Sequence, residues 1–207
     1  MSKFITLEGI EGVGKSSNLE YIHTLLGDAG YECIVTREPG GTPLGESLRA
    51  LLLQHSDEQM SSDAELLMMF AARAEHLNKV ILPALAAGKY VLCDRFTEAT
   101  YAYQGGGRNL DSAKIATLES LVQGDCRPDL TIILDAPVEV GRARAGKRSS
   151  PDRIEKEENA FFERVRAAYQ QLAANYSDRM CLVDATPDLA QVQAQIKKRL
   201  EEYNILL

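Results

Sequence analysis

The 207-residue chain is 45% hydrophobic, enough for one substantial core, and its formal charge of −7 argues against nucleic acid or an anionic membrane as partner, since either needs a surplus of Lys and Arg. An anionic ligand must therefore be held by local basic residues. Cys33, Cys93, Cys126 and Cys181 show no C-x-x-C or metal-ligand spacing and read as small buried hydrophobes in a reducing compartment, and His23, His55 and His76 likewise lack metal spacing.

The first predicted element is a strand over Phe4–Leu7, with neither a basic segment nor a leader-like apolar run before it, and no stretch is apolar enough over its length to span a bilayer. The expectation is a cytoplasmic protein. A glycine-rich stretch, Gly9–Ser16, follows, then a helix over Lys15–Ala29 and a second strand over Cys33–Thr36. Helices are predicted over Pro43–Gln54 and Asp63–Ala87, the latter opened by a Ser62/Glu65 capping box and kinked or split at Pro83. A third strand, Tyr90–Cys93, ends in Asp94-Arg95. Beyond it come a helix over Asp111–Gln123, a strand over Leu130–Leu134 and a helix over Pro137–Ala145, with Pro137 suited to a first turn. Gly146–Pro151, inside a strongly charged region, reads as part of a mobile lid. A helix over Glu155–Asn175, a strand over Met180–Val183 and a helix over Leu189–Tyr203, preceded by Pro187, complete the pattern. Short apolar runs alternating with helical segments predict an α/β protein with a five-stranded parallel sheet flanked by helices, one domain over residues 1–207.

Gly9-Ile10-Glu11-Gly12-Val13-Gly14-Lys15-Ser16 fits G-x-x-x-x-G-K-[ST] in the strand-then-helix setting that gives the pattern its meaning. Glycines permit backbone angles that turn successive N–H groups inward around phosphates, and the helix N-terminus adds partial positive charge. Lys15 is then placed to reach the β- and γ-phosphates, and the Ser16 hydroxyl to join a Mg²⁺ shell. The guanine-reading N-K-x-D of switch GTPases and the L-S-G-G-Q of transport ATPases are both missing. Asp94-Arg95 and Arg37 instead stand at strand ends, the edge where open α/β sheets bind ligands.

Together with the P-loop carboxylate Glu11, the stretches Arg37-Glu38-Pro39-Gly40-Gly41, Phe70-Ala71-Ala72-Arg73, Asp94-Arg95-Phe96, Tyr103-Gln104-Gly105-Gly106-Gly107 and Asp152-Arg153-Ile154-Glu155 resemble the bacterial thymidylate kinases, in family order. The resemblance implies the three-layer fold of P-loop nucleoside monophosphate kinases with a lid at about 141–153, ATP as phosphate donor with Mg²⁺, dTMP as acceptor, and a homodimer. It implies that Gly9, Ile10, Glu11, Gly12, Val13, Gly14, Lys15, Ser16 and Ser17 hold ATP with Arg144 and Arg148, and that Ser16 and Asp94 serve the metal. By the same resemblance Arg37 and Arg95 bind the acceptor phosphate, Phe70 stacks on thymine, Arg73 hydrogen-bonds a base carbonyl, Thr100 and Gln104 meet the base edge, and Tyr103 packs on the deoxyribose.

Some members of the family carry a catalytic arginine directly after the P-loop carboxylate; here Gly12 stands there, so the chain resembles the lid-arginine type. Arg148 is favoured for that role, with Arg144 and Arg153 in reserve, and Lys15, Arg95, Asp94 and Glu11 complete the catalytic set. The acceptor phosphate has a second pKa of about 6, so its attacking oxygen is ionised at neutral pH without a general base. Catalysis is then alignment and charge neutralisation. For Phe70 the competing reading is core packing on an apolar helix. The competing functions are another nucleoside monophosphate or deoxynucleoside kinase, and a non-enzymatic nucleotide sensor.

Overall fold

The computed structural model describes residues 2–55, 60–146 and 152–206. Its centre is a five-stranded parallel sheet in the order β2-β3-β1-β4-β5, built from β1 (Phe4–Glu8), β2 (Cys33–Arg37), β3 (Tyr90–Asp94), β4 (Leu130–Asp135) and β5 (Met180–Asp184). β1 is buried along its whole length, which is why it reads as a continuous apolar run and not an alternating one. Its side chains feed two cores. Ile5 and Leu7 join Leu92, Ile132, Val165 and Tyr169 on one face, while Phe4 joins Leu77, Ile81, Val91 and Phe96 on the other. A polar pair at the centre, Thr6 and Thr131, is satisfied by a mutual 2.8 Å hydrogen bond.

The helices follow in chain order: α1 (Lys15–Asp28), α2 (Pro43–Leu53), α3 (Ser62–His76), α4 (Leu82–Ala86), α5 (Thr97–Thr100), α6 (Ser112–Gln123), α7 (Val138–Ala145), α8 (Asn159–Asn175) and α9 (Leu189–Glu202). α2 is capped by Thr42, whose side chain accepts from Gly45 N, with Pro43 in its first turn, and α9 is capped by Asp188. At α3 the cap is Ser61, which accepts from the Ala64 amide, one residue before the predicted Ser62.

The predicted helix over Asp63–Ala87 is α3 and α4 joined by a wider π-helical turn at Leu77–Ile81. Pro83 has no N–H and its ring crowds the preceding turn; the expected kink or split takes the form of this widened turn, which divides the helix in two. A second departure is α5 with the π-helical Tyr101–Gly107, where the sequence pattern predicts only a loop. Three consecutive glycines argue against helix locally, but here they admit a neighbour. A Cβ on Gly106 would lie 2.8 Å from the Ala168 Cβ, and one on Gly107 would enter the Phe161 ring, so α8 crosses close to glycine backbone. α8 also starts later than predicted, because the Asp152 side chain accepts from the amides of Ile154 and Glu155 and holds a turn there.

The chain runs from β1 outward to β2, back to β3, and then across β1 to β4. The carboxyl ends of β1 and β3 therefore meet where the winding reverses, with Leu7 registered against Asp94 and Arg37 against Asp94 on the other side. No helix among the described residues is long and apolar enough to cross a membrane.

Candidate active site

The loop from Gly9 to Ser16 joins β1 to α1, and Gly14, at φ 94°, caps the helix that Lys15 begins. The Lys15 ammonium donates to the carbonyls of Gly9 and Ile10 at 3.0 and 2.9 Å, folding back over the loop. Burial and the nearby Arg95 charge lower its pKa to about 8. Ser16 and Ser17 are exposed at the start of α1, and Ser16 shares a groove with Asp94, Arg37 and Glu46. Asp94 Oδ1 is buried with no hydrogen-bond partner among the described residues. A hydroxyl beside a carboxylate oxygen without a partner suits a magnesium ion that takes most of its ligands from phosphates and water, and no group of three or more His, Cys, Asp or Glu that could hold a metal exists among the described residues.

Gly12, at φ 78°, faces α7: a Cβ there would run into the Gly141 carbonyl. An arginine at position 12 is incompatible with this packing, which gives Gly12 a steric reason that motif spacing alone does not supply.

Beside the loop, Arg95 Nη2 donates to Glu11 Oε1 at 2.8 Å and its guanidinium lies 4.8 Å from the Tyr103 ring centroid. The Tyr103 hydroxyl also donates to Glu11, at 2.8 Å. Burial holds the Tyr103 and Tyr169 hydroxyls well above the ordinary phenol range, so both stay protonated.

A cavity of about 610 Å³, counted to its open mouth, adjoins this cluster; Glu11, Arg49, Arg73, Arg95, Thr100 and Tyr103 are among its walls. Arg73 is 2% exposed and lies between the rings of Phe70 and Phe96, at 4.8 and 5.0 Å. Its Nε donates to Glu38 at 2.7 Å and its Nη2 to Thr100 at 3.1 Å, while Nη1 has no partner among the described residues. Glu38 is braced in turn by His76 at 2.9 Å, whose other ring nitrogen meets Thr36 at 2.6 Å. Gln104 donates to the buried Glu65 at 2.8 Å and its Oε1 has no partner among the described residues. Burial works against the Glu65 charge, yet Gln104, Arg108 and Arg153 hold its carboxyl below the usual range.

Two expected positions differ. The Phe70 ring packs with Leu66 and Ile115 and lies under Arg73, and Met69 of the same helix, not Phe70, walls the cavity. Arg37 pairs with Glu46 at 2.9 Å, half-exposed in the groove beside Ser16 and not in the cavity, where Arg49 stands.

At the far side, Arg144 donates to the carbonyls of Ala185 and Thr186 at 2.7 and 3.0 Å, tying α7 to the loop after β5. Arg153 donates to Leu52 O at 2.9 Å and Glu65 at 2.6 Å, so it is turned away from the phosphate loop. Arg148, the favoured lid arginine, and Lys147 lie outside the described residues. The site residues that the sequence pattern did not single out are Arg49, Tyr169 and Glu8, while Glu65, read there only as part of a capping box, turns its carboxylate to Gln104, Arg108 and Arg153; Glu8, a carboxylate ending an apolar strand, carried a local signal.

A family model described as thymidylate kinase matches residues 7–196. The chain is 60% identical over 193 residues to the thymidylate kinase of Pseudomonas entomophila, covering 93% of this chain and 92% of that one. To the thymidylate kinase of Alcanivorax borkumensis it is 57% identical over 200 residues, 97% and 96% of the two chains. The crystal structure of thymidylate kinase from Ehrlichia chaffeensis superposes with a TM-score of 0.77 at 33% identity, covering 96% of this chain and 98% of that chain.

Proposed function

The chain belongs to the thymidylate kinase family, and we propose how its own residues carry out that family's reaction. It transfers the γ-phosphate of ATP to dTMP, giving dTDP and ADP on the route to dTTP. In our reading the amides of Gly9 to Ser17 surround the ATP phosphates and Lys15 leaves its two loop carbonyls to neutralise the β- and γ-oxygens. Ser16 and Asp94 would hold Mg²⁺, which would supply positive charge to the phosphates when bound. Arg95 and Arg49 receive the acceptor phosphate, with Arg37 at the adjoining groove.

The thymine carbonyl takes the free Nη1 of Arg73, the base edge meets Thr100 and Gln104, and Tyr103 with Glu11 lies along the deoxyribose. Phe70 acts through the ring it presents to Arg73, which it helps to hold beside the base. Arg148 supplies the remaining positive charge to the transferring phosphoryl group, while Arg144 secures the ATP end of α7. With the acceptor oxygen already ionised, no side chain needs to take a proton. The observation that carries the reading is the pairing of the Lys15 loop with a neighbouring cavity in which a buried arginine keeps one unpartnered donor.

The homodimer and the cytoplasm belong to the same proposal, as does a single domain over residues 1–207. Exposed Leu44, Leu51 and Leu67 on α2 and α3 support the dimer. A transfer assay with ATP, Mg²⁺ and a panel of acceptors tests the whole. dTMP is expected to lead, with dUMP behind by roughly 10-fold for one methyl group. Cytosine and purine nucleotides are expected to trail by far more, since Arg73 loses its acceptor. Preference for unphosphorylated thymidine or for CMP or AMP overturns it.

A further inference from the structure

Arg95 is a non-glycine residue in the left-handed region, φ 68°, a conformation that costs an L-residue about 1–2 kcal/mol. The fold must hold it there. Its own amide donates to Leu7 O at 3.1 Å, and the next amide, Phe96 N–H, donates to Glu8 Oε1 at 2.7 Å. Glu8 is the last residue of β1, directly before the phosphate loop, and is fully buried. Its second oxygen accepts the Tyr169 hydroxyl from α8 at 2.7 Å, and Arg95 Nη1 donates to the Tyr169 oxygen at 3.2 Å. A phenol has one proton. Given to Glu8, it leaves the lone pairs of Tyr169 facing Arg95.

We propose that Glu8 and Tyr169 are a positioning pair for Arg95, fixing its backbone through Phe96 and its guanidinium through the tyrosine oxygen, so that the charge stands beside Glu11 at the mouth of the phosphate loop. One carboxylate thereby places both ends of the arginine. The reason it is buried at a charge-disfavouring site follows from the same geometry. Burial raises its pKa to about 8, while the Arg95 charge and the donors on Tyr169 and Phe96 work against that rise. Neither residue reaches the cavity that holds Arg73, so both act through Arg95 and not on the substrate.

The proposal rests on the reading of Arg95 as the arginine that faces the transferred phosphate, and its test separates the two. Tyr169→Phe removes one hydroxyl and keeps the buried ring. Glu8→Gln is isosteric but sets a donor against either the Phe96 amide or the tyrosine proton. Each is expected to lower kcat about tenfold, close to 1.4 kcal/mol, with the KM for ATP within about twofold and an unchanged circular dichroism spectrum. Arg95→Ala is measured alongside, and the double variant Arg95→Ala/Tyr169→Phe is expected to be no slower than Arg95→Ala alone. If Arg95→Ala is crippled while Tyr169→Phe and Glu8→Gln turn over normally, or if the two losses add in the double variant, the positioning pair is wrong. If Arg95→Ala retains full kcat, the reading of Arg95 falls, and the pair with it.

Discussion

Lys15 holds a positive charge where burial and Arg95 both resist it, and its pKa of about 8 is the consequence. Phosphates bind the charged form. Below about pH 8 the free protein already carries the proton; above it, ATP has to bring one back, so the dissociation constant for ATP is expected to rise up to tenfold per pH unit. Calorimetric titration between pH 7 and about 9.5 checks this, and a flat profile would contradict the assigned role. Lys15→Ala is expected to lose about 10²–10³ in kcat with little loss of melting temperature, because among the described residues the side chain bonds its own loop. Gly14 and Lys15 were readable from the motif, whereas Arg49 was not: an arginine on an amphipathic helix looks like any solvated charge until the helix is placed beside a cavity.

Between elements, Glu65 of α3 is where several segments meet. Gln104, Arg108 and Arg153 all donate to it, and Arg153 also bonds Leu52 O at the end of α2. Asp152 and Ile154, the neighbours of Arg153, are cavity walls. Arg153→Met is expected to weaken that wall by about 1 kcal/mol, a rise of roughly fivefold in the KM for dTMP with the KM for ATP unchanged; steady-state kinetics with each substrate varied will show whether the effect falls on the acceptor side. The same interplay explains the misjudged helix at Tyr101–Gly107. Its glycines are unfavourable to helix in isolation, and only the close crossing of α8 makes them the residues that fit. Pro83 was visible as a disturbance, but whether it yields a kink or a widened turn depends on the packing of Leu77 and Ile81 under the sheet.

For the whole molecule, the parallel sheet and its order bring the ends of β1 and β3 side by side, so residues about eighty positions apart, Lys15 and Arg95, share one site. The outer faces of α2 and α3 expose Leu44, Leu51 and Leu67, the last at 56%. Leu67→Glu is expected to halve the mass measured by light scattering in gel filtration; a wild-type chain that already runs as a monomer would remove the dimer from the proposal. The strand and helix pattern, the phosphate loop and the family resemblance were legible in the residues alone, because backbone hydrogen bonding and hydrophobic period are local and the loop needs its glycines at set spacing. Where the other basic residues turn was not. Arg153 turns to Glu65, Arg144 to the carbonyls after β5, Arg37 to Glu46, and Arg95 is aimed by Glu8 and Tyr169, since a long charged side chain goes to whichever acceptor the packed fold brings within reach.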